Sequence, residues 1–255
     1  MKILIISALS QEYSPFKSIF PSWREVRREP PRKFAFDLPD KEIILVESGM
    51  GSKAAKETLS REIAGFCPDL VIFSGFAGGL HPDLQVGEVC LAQGCRSVNS
   101  ESAFRIQTPQ ALSDFLVRNH IRPVLALSAE APTNKQALST LVSGEPAVVD
   151  METAVAAEVA LDKESHFLCF RAVSDALGQR LGFKLSDISN EEGRIRHSAV
   201  LVAILRKPAT LRAFCLAWVR SRRAALNLCR SVAAFLRIPA PILNKMADEI
   251  KIECE

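Results

Sequence analysis

Four short segments of this sequence put carboxylates and glycines where an apolar run gives way to a polar turn. Glu12 follows the apolar run of residues 3–8. Ligands of open parallel sheets bind outside the carboxyl ends of strands, so a carboxylate there can serve as a general base; its plainer role is a negative charge on the first turn of a helix. Ser48-Gly49-Met50-Gly51 offers backbone N–H groups to an anion or a hydroxyl. Ser74-Gly75-Phe76-Ala77-Gly78-Gly79-Leu80 reads as a glycine-rich turn after a buried strand, where a ligand can approach the backbone closely. It has neither the G-x-G-x-x-G spacing of dinucleotide folds nor the Gly-Lys-Ser/Thr of a P-loop. The last segment pairs Val149-Asp150-Met151-Glu152 with Arg171-Ala172-Val173-Ser174-Asp175. Glu152 has the chemistry to accept both hydrogen bonds of a ribose diol, and Asp175 that to protonate a departing base. Singly, each has the plainer reading of a helix cap. Their conjunction favours a site.

The elements that must hold these residues follow from the apolar periodicity. Continuous runs rich in Ile and Val predict strands at 2–8, 43–47, 70–74, 87–92, 124–128, 147–149 and 167–173, buried on both faces. Helical spacing predicts helices at 12–20, 53–65, 109–119, 135–142, 152–161 and 194–205. The alternation argues for an α/β fold with a mainly parallel sheet covered on both sides. The polar stretch 24–39, with Pro30, Pro31 and Pro39, is expected to be a loop or short hairpin.

Composition bounds the rest. The 255 residues are enough for one sizeable core. No run of 18 apolar residues predicts a spanning helix, and the start reads as a first strand of a cytoplasmic protein rather than a signal peptide. The seven cysteines form no Cys-x-x-Cys pair and the four histidines no ligand spacing, so small buried thiols and no metal are expected. The net charge of +3 conceals an asymmetry. Between 193 and 247 there are eleven Lys or Arg and no acid, so all 29 acids face only 21 of the 32 bases in the rest of the chain. Within that tail, Leu211, Phe214, Trp218, Ala225, Cys229, Val232 and Leu236 recur at helical spacing over 210–236, flanked by Arg212, Arg220, Arg223, Arg230 and Arg237, with Pro208 and Pro239 at the ends. Such a basic amphipathic helix either packs on the core or lies on an anionic lipid surface; sparse aromatic residues and the absence of a motif speak against nucleic acid.

Five of these motifs, in this order, resemble the purine nucleoside phosphorylase and methylthioadenosine/S-adenosylhomocysteine nucleosidase superfamily. They are the first strand with Glu12, SGMGSKAA at 48–55, SGFAGGLHPDLQVGEV at 74–89, VVDMETAVAA at 148–157 and RAVSD at 171–175. The resemblance implies a phosphorylase/hydrolase-like three-layer α/β fold, with a central mixed, partly closed sheet over 1–205 and a basic helical extension over 206–255. It implies an adenine nucleoside as substrate, a homodimer, and no cofactor, with inorganic phosphate open as co-substrate and Arg96 and Arg105 as candidates to hold it. By the same resemblance Glu12 activates the attacking water, Asp175 hydrogen-bonds the adenine N6/N7 edge and promotes N7 protonation, Glu152 binds the ribose hydroxyls and Met151 packs on the sugar. Gly49, Ala77, Gly78, Asp150 and Ser174 fall on substrate-binding positions. Phe76 stands where those nucleosidases have a small hydroxyl residue, Pro132 where they have an aromatic, and Asp150 where they have Glu, which moves the expected substrate away from methylthioadenosine. The short stretch between 92 and 124 and the arginine-rich tail resemble the hopanoid-associated branch. That branch implies adenosylhopane as substrate and contact of 206–237 with the inner face of the membrane.

Overall fold

The computed structural model describes residues 1–130, 134–142, 144–179 and 209–254. The predicted helix at 194–205, Pro132 and Pro208 lie outside them. The first strand, β1 (Lys2–Ser7), is the core of the sheet: Ile3, Leu4, Ile5 and Ile6 are fully buried, as a strand covered on both faces requires. The predicted helix over 12–20 is two short turns, α1 (Ser10–Tyr13) and α2 (Phe16–Ile19), because Pro15, which has no N–H to give, caps the second. The stretch 24–39 is a hairpin, β2 (Arg24–Arg27) and β3 (Lys33–Leu38), that extends the sheet antiparallel to β4 (Lys41–Glu47).

After α3 (Ser52–Phe66), β5 (Leu70–Gly79) runs much further than the sequence predicts. The glycine-rich segment read as a turn is strand. β5 serves three neighbours: β1 runs parallel to it over Leu70–Phe73, β10 (Phe167–Asp175) runs parallel to it from Val71 to Gly78, and β9 (Ala147–Asp150) pairs antiparallel at Gly78 and Gly79. Next come β6 (Val89–Ser97), β7 (Ala103–Gln107), α4 (Gln110–Arg118) and β8 (Arg122–Ser128). A short α5 (Lys135–Ser139), running into a 3₁₀ turn, leads to β9, and α6 (Thr153–Asp162) follows it. The pairings close a ring. β5 pairs with β10, β10 antiparallel with β6, β6 parallel with β8, β8 parallel with β9, and β9 returns to β5. Five strands thus form a small barrel. β1, β4, β3 and β2 fan out from β5, and β7 continues from β6 on the other side.

The C-terminal segment is stitched into this body. In α7 (Ala209–Leu236), Leu228, Cys229, Val232, Phe235 and Leu236 are fully buried, with Phe235 packed edge-on against Phe115 and tilted against Phe170. Pro239 opens α8 (Ala240–Asp248), whose Ala240 N–H reaches the Asp40 carboxylate at 2.5 Å. The chain ends in β11 (Lys251–Cys254), antiparallel to β7. The helical extension expected over 206–255 thus contains two helices but ends in a strand, and neither β7 nor β11 is among the predicted strands.

Candidate active site

Glu12 is the first element of the site. It lies on α1 directly after β1 and is only 4% exposed. One carboxylate oxygen accepts the Leu9 N–H at 2.9 Å and the other the Phe76 N–H at 2.8 Å. Burial raises its pKa to about 7; these two N–H groups and the charge of Arg171 pull it back, and Glu152 pushes it up. Gly75 has to be glycine here. A Cβ would run into the Arg171 guanidinium and come within 2.9 Å of the Glu12 carboxylate. The missing side chain lets a buried cation lie along the strand beside Glu12.

That cation, Arg171, is the residue the motif reading passed over. It is 1% exposed, in the middle of β10. Its Nε lies 2.8 Å from Asp150 and 3.1 Å from the Thr153 hydroxyl, and its guanidinium caps the Phe73 ring at 4.8 Å. An arginine inside the apolar run Phe-Leu-Cys-Phe-Arg-Ala-Val was the available signal, since a buried charge must find a partner. Asp150 is that partner. Its carboxylate also takes the Ser128 hydroxyl at 2.8 Å, the Glu152 and Thr153 N–H groups at 3.1 Å each, and the Thr153 hydroxyl. Five protein donors surround Asp150, so it holds Arg171 and the start of α6 in place rather than offering acceptors to a ligand.

Glu152 is buried beside them and accepts the Gly51 N–H at 2.8 Å. Burial raises its pKa and Arg171 opposes that. The glycine segment 48–51 is therefore not an open anion cradle: the Gly51 amide holds Glu152, and the Gly49 amide is bound to the Ala8 carbonyl at 3.2 Å. Both glycines adopt positive φ, +83° and +93°, which lets the loop turn its amides inward. Met151 is half-buried, its carbonyl held by the Ser52 hydroxyl at 2.8 Å.

The other end of the site is built at the end of β10. Asp175 pairs with Gly78 across the sheet. The Ser174 hydroxyl lies 2.8 Å from its Oδ1 and 3.3 Å from the Ala77 carbonyl. Oδ2 receives Lys135 Nζ at 2.5 Å. The Asp175 side chain is 19% exposed and carries a lysine ion pair.

β5 joins the two ends. Phe76 holds Glu12, and Gly78, two residues on, lies beside Asp175. At about 3.3 Å per residue the strand separates them by roughly 7 Å. That spacing suits two groups acting on opposite ends of one bond. Beside Glu12 stand the Glu152 carboxylate and the Arg171 guanidinium, the latter paired with Asp150. Of the two arginines considered for phosphate, Arg96 is spent on the Leu141 carbonyl at 2.6 Å, and Arg105 lies on β7 opposite Glu253 of β11. Among the described residues no group of His, Cys, Asp and Glu is placed to hold a metal ion.

Comparison with known proteins agrees with this architecture. A methylthioadenosine/S-adenosylhomocysteine nucleosidase of Listeria monocytogenes is 26% identical over 205 residues, covering 70% of this chain and 88% of the relative. The Neisseria meningitidis enzyme of that name, solved with methylthio-immucillin-A, superposes with a TM-score of 0.69 at 19% identity, covering 92% of this chain and 98% of its own. Futalosine hydrolase of Helicobacter pylori gives the same TM-score and identity over 92% and 97%. The family model described as the phosphorylase superfamily matches residues 2–206, most of the sequence and all the site residues above, and the chain belongs to that superfamily.

Proposed function

We propose that this protein hydrolyses the N-glycosidic bond between a ribose-type sugar and adenine. The observation that carries the reading is Glu12: a buried carboxylate with a pKa of about 7, oriented by two backbone N–H groups beside Arg171 and Glu152. Such a group is poised to take a proton from water near neutral pH. Cleavage passes through a state with positive charge on the sugar and negative charge on the base. Glu152 and Glu12 steady the first; Asp175 with its partners meets the second. The relatives' names, two methylthioadenosine/S-adenosylhomocysteine nucleosidases and a futalosine hydrolase, support the class. The guanidinium beside Glu12 is already committed to Asp150, and Glu152 stands on the same side, so the reading takes water as nucleophile over inorganic phosphate. The test is release of free adenine from a panel of 5′-substituted adenosines by purified protein, followed chromatographically. No release from any member, under conditions where Glu12→Gln is equally inert, defeats the reading.

The same proposal extends to the substrate. Among the described residues no single helix is long and apolar enough to cross a membrane. Yet α7 exposes Leu216 (48%), Trp218 (61%) and Val219 (57%), with Arg222 over the Trp218 ring at 4.8 Å. Apolar anchors beside arginines suit an anionic bilayer surface, and that supports a lipid nucleoside such as adenosylhopane, cleaved on the inner face of the membrane by a homodimer. Co-sedimentation with vesicles containing phosphatidylglycerol tests it; Trp218→Ser should weaken binding, and equal binding to neutral vesicles speaks against it.

A further inference from the structure

We propose that Lys135 is a positioning residue for departure of the base, acting through Asp175 as the proton reservoir that recharges it. This rests on the glycosidic-cleavage reading above. Lys135 is the first residue of α5, and its Nζ is fixed by three acceptors: Asp175 Oδ2 at 2.5 Å, the Ala176 carbonyl at 2.5 Å and the Asp175 carbonyl at 3.2 Å. Only 13% of its side chain is exposed. The floor beneath it is shaped to fit: a Cβ on Gly78 would come within 3.1 Å of Lys135 Cδ, 3.2 Å of Val149 and 3.5 Å of Asp175 Oδ2. A lysine meant only for solubility is not threaded over a glycine to the end of a barrel strand.

The consequence is chemical. Nζ and Oδ2 are in contact, so a proton can pass from the ammonium to the carboxylate without leaving the site. The pair then acts as one relay towards N7. As the C1′–N9 bond breaks and its electron pair goes to the purine, Asp175 protonates N7 and recovers the proton from Lys135 Nζ through Oδ2. The purine leaves neutral and Lys135 is left as the amine. Water adds hydroxide to C1′ and its proton goes to Glu12. On product release Glu12 loses one proton and Lys135 regains one, so hydrolysis balances. Ser174, 2.8 Å from Oδ1, fixes the carboxyl plane while this happens.

The test compares two leaving groups in Lys135→Met, Lys135→Arg and the unaltered protein: adenine, and 4-nitrophenolate on ribose, which departs as an anion and needs no proton. The account expects Lys135→Met to lose about a hundredfold or more in kcat on the adenine nucleoside, within the usual span for acid assistance. It should change less than about threefold on nitrophenyl riboside, whose turnover also reports an intact fold, and Lys135→Arg should sit between the two. Equal loss on both substrates makes Lys135 a structural strut and overturns the proposal, as does full activity of Lys135→Met on adenine. Absence of adenine release from the unaltered protein would instead defeat the glycosidic reading itself, so the two failures are separable.

Discussion

The two ends of the site treat the same functional group in opposite ways. At the water end, Glu12 is sealed inside the protein and held by backbone donors, with the guanidinium close by already committed to Asp150. At the base end, Asp175 is partly open and locked to a lysine. Burial moves the first towards neutrality; the second is joined to a cation. A base that must work near neutral pH needs a raised pKa, whereas a group that must reload after each turnover needs a proton store within reach. The difference lies less in the residue type than in whether a strand end is roofed by helices or left at the mouth of the barrel.

The sharpest way to break this comparison is to neutralise the water end. Glu12→Gln should lower kcat by about 10²- to 10⁴-fold on any adenine nucleoside, the usual range for loss of a general base; a loss below tenfold would reassign the base. Next is the cation between them. Asp150→Ala leaves Arg171 buried and unpaired, and chemical denaturation should show a loss of roughly 3–5 kcal/mol. A stability change under 1 kcal/mol would mean that Arg171 finds other partners. Glu152→Gln should weaken ribose binding by about one to two orders of magnitude in kcat/KM, the scale of a charge-assisted hydrogen bond, with little change in fold.

A smaller effect concerns pH. Because burial lifts Glu12 to about 7 and the base must be ionised, kcat/KM should rise as pH passes through about 7 and flatten above it. Stability runs the other way. A carboxylate whose folded pKa is raised favours folding while it stays protonated, and that advantage over the unfolded chain is lost as pH climbs from the ordinary carboxylate range through 7. Measured against Glu12→Gln, the unaltered protein should therefore become relatively less stable between pH 5 and 8. A flat difference would mean that Glu12 is hydrated and not buried.

Much of this was legible in the sequence. The buried strands announced themselves as unbroken apolar runs, and Glu12, Glu152 and Asp175 stood out as carboxylates at strand ends. What stayed hidden has physical reasons. β7 and β11 make an antiparallel pair from segments about 150 residues apart, each too short and too polar to signal a strand alone. The glycines at 75, 78 and 79 looked like a turn because only the folded barrel shows one strand exchanging β1 for β9 while it stays paired with β10. Lys135 meets Asp175 across 40 residues, and a lysine at a helix start carries no mark of such a partner. Arg171 was in view, but its importance depends on Gly75, whose missing side chain makes room for it.

The central claim is hydrolysis at the bond between sugar and adenine. Its most direct test is adenine release measured with and without inorganic phosphate, with the sugar product weighed by mass spectrometry in ¹⁸O-water. The account predicts phosphate-independent release and a free ribose-type sugar carrying one ¹⁸O at C1. A product bearing phosphate at C1, formed only when phosphate is added, would contradict it.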